Sequence, residues 1–101
     1  MATTPKVNNP LSVIQAYGLQ GSYSFVHHAR KRLHEREVTV LEVMQIIRGG
    51  HHEVRKDEFK PEFGEWNYAI RGKTLDARKL RLAIAIKSDG VLVITAIDLE
   101  K

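Results

Sequence analysis

The chain has 101 residues, of which 43% are hydrophobic and 28% charged, as expected for a single globular domain with a modest core. It contains no cysteine, which excludes disulfides, thiolate metal ligands and cysteine nucleophiles. The net charge of +4 favours anionic partners, and no run approaches the roughly 18 apolar residues of a membrane span. We therefore expect a basic, cytoplasmic protein without membrane contacts.

The first third of the chain predicts two helices after a tail. Residues 1–9 are polar and contain proline, which predicts a flexible tail ahead of a single domain at residues 10–101. Pro10 begins a short predicted helix that Gly18 ends. A second, strongly amphipathic helix is predicted over residues 25–36.

A third helix follows directly. Thr39 and Glu42 have the spacing of a capping box and predict a helix over residues 40–48, which Gly49 and Gly50 end.

The hydrophobic period then changes from helical to alternating. Residues 51–55 predict a weak edge strand, 57–64 a loop, and 65–71, 80–87 and 91–99 three further strands. Helices first and an antiparallel meander afterwards indicate an α+β fold. We expect N-terminal helices packed on one face of a C-terminal antiparallel sheet of three to four strands.

The second predicted helix carries the densest basic cluster of the chain. At about 100° per residue, His28, Arg32 and Arg36 fall on one flank of its apolar stripe. Its opposite flank holds His27, Lys31 and His34 and is most simply a solvated surface. Imidazole exchanges protons near neutral pH, and guanidinium binds phosphate bidentately, so the first flank predicts a phosphate site.

The predicted strand over residues 80–87 offers a second basic surface. Arg81, Ala83, Ala85 and Lys87 alternate with the core positions, so they share the face that points away from the helices. Two alanines beneath long cationic side chains predict a shallow cradle for a phosphate. The alternative interpretation is a solvated face with alanine as filler.

Four short patterns occur in order along the chain and carry a family resemblance. They are His28-Ala29-x-x-Arg32-x-x-x-Arg36, Tyr68-x-Ile70-x-Gly72, Arg78-x-Leu80-x-Leu82 and Val91-x-Val93-x-Thr95-Ala96. Together they resemble a widespread small prokaryotic domain family of unknown function, whose members look like relatives of the RelE, ParE, BrnT and MqsR toxins. The resemblance implies a compact α+β fold, an antitoxin partner and cleavage of mRNA without metal or cofactor, with the ribosome as one setting for the cleavage.

The resemblance and the side-chain chemistry together predict the site residues. We expect His28, Arg32, Arg36 and Arg78 to be catalytic, with His28 moving a proton and the arginines stabilising phosphate. We expect Arg81, Tyr68 and Thr95 to bind RNA. No metal site is predicted, because no two histidines lie four residues apart on one helix.

Simpler interpretations stand beside these. His28 could be a structural hydrogen-bonding group, Arg36 could pair with Glu42, Tyr68 could belong to the core, and Thr95 could merely favour a strand. The alternative function is a non-catalytic module of the same fold that binds RNA or a protein.

Overall fold

A computed structural model of the chain describes residues 5–100 and has an α+β fold with three helices and a six-stranded sheet. Along the chain lie α1 (Pro10–Gln20), β1 (Tyr23–Phe25), α2 (His27–Glu35), α3 (Val40–Gly49), β2 (His51–His52), a 3₁₀ turn (Val54–Lys56), β3 (Glu58–Lys60), β4 (Glu65–Lys73), β5 (Lys79–Lys87) and β6 (Gly90–Asp98). The predicted class and the N-terminal position of the helices are confirmed. None of the helices within residues 5–100 is long and apolar enough to cross a membrane.

The sheet differs from the prediction in strand number and in direction. Its order is β1-β6-β5-β4-β2, and β3 also pairs with β4. The strands β4, β5 and β6 form the predicted antiparallel meander, whereas β1 pairs with β6 in parallel. The expectation of three to four antiparallel strands is therefore wrong, because the sheet is mixed and has six strands.

The unpredicted strands are short and depend on distant partners. In β1, Tyr23 pairs with Val91, and in β3, Phe59 pairs with Trp66. A three-residue strand carries too little alternation to be recognised, and its stability comes from pairing with residues elsewhere in the chain. For this reason the loop predicted over 57–64 was wrong at residues 58–60, and the helix start predicted at Phe25 was wrong.

The helix ends follow local signals, with one informative exception. Thr39 and Glu42 form the predicted capping box, with Thr39 Oγ1 accepting from the Glu42 N–H at 3.1 Å. Gly18 does not end α1, which continues to Gln20 and ends at Gly21 in the left-handed conformation. A Cβ on Gly18 would lie 3.3 Å from Ile47 Cγ2, so this glycine allows α1 to pass closely over α3.

The core lies between the helices and one face of the meander. Fully buried side chains from the helices (Ile14, Val43, Ile46 and Ile47) meet those from the strands (Ile70, Leu80, Leu82, Ile84 and Val93). The alternation predicted for residues 80–87 is therefore confirmed, since its even-numbered positions supply the sheet side of this core.

The outer edge of β4 is completed by a carboxylate between β2 and β3. Asp57 Oδ1 accepts from the Ala69 N–H at 2.9 Å, at a position on the outer side of β4 that neither β2 nor β3 pairs with. Asp57 Oδ2 binds His52 Nε2 at 2.7 Å and Lys6 Nζ at 2.9 Å, and the Asp57 side chain is only 1% exposed. Part of the segment predicted as a tail therefore contacts the sheet, while residues 1–4 lie outside the described residues.

Two adjacent glycines where α3 meets the sheet have opposite surroundings. A Cβ on Gly50 would lie 2.5 Å from the Ile46 carbonyl oxygen and 2.7 Å from that of Arg71. A Cβ on Gly49, the last residue of α3, would meet nothing within 4 Å. Of the two positions, only residue 50 has to be glycine because of close packing.

We expect Gly50→Ala to lower the free energy of unfolding by about 2–3 kcal/mol, because backbone atoms of α3 and β4 must move apart. Gly49→Ala should raise it by about 0.5–1 kcal/mol, because alanine favours the helix. Urea denaturation of both variants measures the difference. Equal effects of the two substitutions would contradict the close approach at Gly50.

Candidate functional site on the open sheet face

The face of the meander opposite the core is not covered by a helix and contains two adjoining cavities. We call it the open face. The first, of about 280 Å³, is named the Thr95 cavity, and the second, of about 390 Å³, the His28 cavity. Both are lined by Lys60, Asn67 and Ile94, so they adjoin along one groove that these side chains divide.

The Thr95 cavity has an apolar floor and a charged rim. Its floor is formed by Ala69, Ala83, Ile94 and Ile97, with Asn67 and Thr95 as the polar groups between them. Lys56, Glu58, Lys60 and Arg81 surround this floor. Of the two alanines predicted to form the cradle, Ala83 lines this cavity, whereas Ala85 is fully buried and lines neither cavity. The rim carries acidic as well as basic groups.

A β-bulge in β6 shapes the wall between the two cavities. Ala83 pairs with Thr95, but the next residue of β5, Ile84, pairs with Val93, so Ile94 is an extra residue in β6. Ile94 and Thr95 consequently both face the open side, while Val93 and Ala96 remain in the core.

The His28 cavity lies at the start of α2, beside the end of β3. One imidazole (His28), two carboxylates (Glu62 and Glu65), two ammonium groups (Lys60 and Lys87) and an exposed aromatic ring (Phe63) line it. The start of α2 has no side-chain cap, because its N-cap residue is Val26. Uncapped N–H groups and the positive end of the helix dipole favour an anion here.

The predicted cations of β5 are held by carboxylates. Arg81 Nε donates to Glu53 Oε1 at 2.7 Å, and Lys87 Nζ contacts both Glu65 oxygens at 2.6 and 2.8 Å. The hydrogen bond from Arg81 lowers the pKa of the Glu53 carboxyl, and the same bond raises the pKa of Arg81. These side chains are thus fixed at the edge of the groove with much of their charge compensated.

Arg78 lies at the other side of the fold, where the ends of four elements meet. Its guanidinium donates to Glu42 at 3.1 Å and to Asp98 at 3.0 Å, and also to the backbone carbonyls of Arg36 and Glu37. The hydrogen bond to Asp98 is the main reason why the pKa of Arg78 is raised. These contacts within the fold give Arg78 a structural role.

Two further predicted residues are also engaged away from the groove. Arg36 Nη1 donates to the Ala96 carbonyl oxygen at 2.6 Å. Tyr68 is 2% exposed on the core face, and its hydroxyl accepts from the Val7 N–H at 2.7 Å, so its ring is not available for stacking. Both positions match the simpler interpretations, although Arg36 contacts a carbonyl and not Glu42.

The structure therefore brings together only part of the predicted set. His28, Arg81 and Thr95 line the groove, and Arg32 is exposed one turn after His28 on α2. Arg36, Arg78 and Tyr68 lie elsewhere.

Sequence reasoning missed the contribution of the segment between β2 and β4. Lys60, Glu62 and Phe63 reach the groove from a segment predicted to be a loop, and Asn67 from β4. The alternation of β4 assigns Asn67 to the same face as Ala69, and this signal could have identified it. Within residues 5–100, no three histidine or carboxylate side chains cluster as metal ligands do.

Comparison with known families gives a match over most of the chain. Residues 25–98 match the family model DUF4258, described as a domain of unknown function. The match begins at the end of β1 and includes α2, α3 and the whole meander. No curated protein matches the chain.

We expect Arg78→Ala to lower the free energy of unfolding by about 2–4 kcal/mol, because the carboxylates of Glu42 and Asp98 and two carbonyls lose their donor. Lys79→Ala is the matched control. Its ammonium lies 3.8 Å from Glu100 in a 46% exposed side chain, so the change should stay within about 0.5 kcal/mol. Urea denaturation checks both values, and a loss below about 1 kcal/mol for Arg78→Ala would contradict its structural role.

Proposed function

The chain belongs to the DUF4258 family, and from the geometry of its open face we propose that it is a metal-independent endoribonuclease acting in the His28 cavity. The observation that carries this proposal is that an imidazole, two carboxylates and two ammonium groups line one space beside an uncapped helix start. These are the groups that cleavage of RNA by its own 2′-hydroxyl requires. Of the residues expected to be catalytic, the proposal retains His28 as the residue that moves a proton.

The reaction requires two proton transfers and one exchange of bonds at phosphorus. The Glu62 carboxylate takes the proton of the 2′-hydroxyl, and O2′ forms a bond to phosphorus. The bond from phosphorus to O5′ then breaks, and the His28 imidazolium gives its proton to O5′. The products are a 2′,3′-cyclic phosphate and a 5′-hydroxyl. The uncapped N–H groups at the start of α2 stabilise the negative charge that builds on the phosphate oxygens. Lys60 and Lys87 add to this by exchanging their partners Glu58 and Glu65 for the phosphate.

The surroundings of the cavity favour a single-stranded nucleic acid as substrate. Phe63 is 73% exposed and offers a ring on which a base can stack. Arg30, Lys31 and Arg32 on α2 are exposed, and within residues 5–100 no carboxylate forms a salt bridge with them. These cations remain available for phosphates along the strand.

A non-catalytic RNA-binding module is the second candidate, and a specific observation favours it. Arg36 and Arg78, which the family resemblance placed among the catalytic residues, donate to backbone carbonyls and carboxylates of the fold. A module of this kind would bind RNA through Phe63 and the cations of α2 without cutting it.

We expect the purified protein to cut an unstructured RNA in the presence of EDTA and to leave 2′,3′-cyclic phosphate ends. His28→Ala and Glu62→Gln should each slow the cleavage about 100-fold, because each removes one proton transfer. Cleavage rates are measured on end-labelled RNA, and affinity for the same RNA by fluorescence anisotropy.

His27→Ala is the matched control for this experiment, since His27 is exposed on the same helix and does not line either cavity. It should leave the rate within about twofold of the wild type, because it removes no proton transfer in the cavity. RNA binding without cleavage would refute the endoribonuclease and support the binding module. Loss of cleavage on His27→Ala as large as on His28→Ala would refute the assignment of the site.

We also propose that an antitoxin protein restrains this cleavage in the cell. Induced expression of the chain alone should then arrest bacterial growth, and His28→Ala should relieve the arrest while His27→Ala does not. Growth curves and immunoblots of the two variants at equal expression measure this. Arrest that persists with His28→Ala would separate the toxicity from the proposed cleavage.

A further inference from the structure

Asn67 is a buried polar residue whose side chain has no partner. It is 9% exposed, and within residues 5–100 no hydrogen bond to its amide is formed. The other polar residue of similar burial, Thr74, has its hydroxyl oxygen bound by the Arg78 N–H at 3.1 Å. An amide in a mostly apolar setting is unfavourable without a partner, so Asn67 is suited to bind a group from outside the chain in place of solvent.

The amide is accessible from the groove. Every fully enclosed side-chain nitrogen or oxygen among the described residues has a partner, so the unpartnered Asn67 atoms are reached by solvent. Asn67 lines both cavities of the open face, where it lies opposite Ala85 of β5. Its donor and its acceptor are therefore presented to a ligand in the groove.

The Thr95 cavity suits a flat, uncharged, ring-shaped group. Aliphatic side chains form its floor, and Thr95 adds a hydroxyl for which no hydrogen bond is formed within residues 5–100. The charges at its rim are mostly compensated by one another and do not select for an anion, because Lys60 binds Glu58 and Arg81 binds Glu53. A flat floor with an amide at its side is a suitable site for a heterocycle with donors and acceptors on its edge.

We propose that the Thr95 cavity binds one adenine base of the RNA, with Asn67 as the residue that determines this specificity. The amide oxygen accepts from the N6 amino group while the amide nitrogen donates to a ring nitrogen beside it, a pairing that asparagine makes with adenine. Guanine is disfavoured in the same position, because its major-groove edge carries two acceptors and the amide offers one donor and one acceptor. The aliphatic floor gives a two-ring base more contact than cytosine.

This inference rests on the proposed function, since it requires RNA to lie in the groove. The two cavities share Lys60, Asn67 and Ile94, so a base in the Thr95 cavity would place a neighbouring phosphate near the His28 cavity. Recognition of adenine would then determine the position of the cut.

The test measures the affinity of the full chain for 2′-O-methyl oligonucleotides A8, C8 and U8, which have no hydroxyl to attack. A8 should bind about 5- to 150-fold more tightly than U8, as expected from one bidentate pair. Asn67→Ala should reduce this ratio to within twofold, and a circular dichroism spectrum equal to that of the wild type shows that the variant is folded. Asn8→Ala is the matched control, because Asn8 is exposed and lines neither cavity.

A second measurement does not depend on a variant. In a two-dimensional ¹⁵N spectrum of the wild type, adenosine 5′-monophosphate should shift the side-chain NH₂ signals of Asn67, and uridine 5′-monophosphate should not. Equal affinities for A8 and U8, or a preference that survives Asn67→Ala, would overturn the adenine pocket while RNA cleavage could still stand. An Asn67-dependent preference for A8 without any cleavage would support the pocket and refute the endoribonuclease. Failure to bind any of the oligonucleotides would overturn both.

Discussion

The guanidinium of Arg78 joins parts of the chain that are distant in sequence. It binds the end of α2 through the carbonyls of Arg36 and Glu37, and it binds the carboxylates of Glu42 in α3 and Asp98 in β6. Glu42 also belongs to the capping box of α3, so one carboxylate both starts a helix and fixes it to the sheet. Because an arginine presents several donors in one plane, it can satisfy carbonyls and carboxylates at the same time. This contact fixes the end of α2 and the start of α3 to the sheet, beside the apolar core between them.

With the helices held on one face, the opposite face of the meander stays open. Short elements complete its two edges: β1 and α2 lie along β6, while β2, β3 and the Asp57 carboxylate satisfy β4. The floor of the groove is therefore formed by strands that pair with their neighbours, with the bulge at Ile94 as an interruption. The residues to which we assign proton transfer lie at the borders of this groove, in the first turn of α2 and in the segment after β3. A hydrogen-bonded floor with reactive groups at its border positions a substrate without requiring a large rearrangement.

Local signals predicted the elements well, and contacts between distant residues account for the errors. The alternation in β5 and the capping box at Thr39 depend only on neighbouring residues, and both were confirmed. The site was harder to predict, because whether an arginine is available depends on which carboxylates the fold brings to it. Arg78 meets Glu42 across 36 positions of sequence, and Arg81 meets Glu53 across 28. No local pattern distinguishes them from the exposed Arg32.

The bulge at Ile94 has a consequence for how this fold can vary. Because the extra residue is accommodated within β6, the core positions Val93 and Ala96 keep their places on either side of it. A relative whose strand is one residue shorter at this point would retain the same hydrophobic core and an uninterrupted ladder. It would lose the wall between the two cavities, and the two would merge into a single open trough. Loss of one residue from β6 would therefore change a divided binding surface into an undivided one and leave the buried side chains in place.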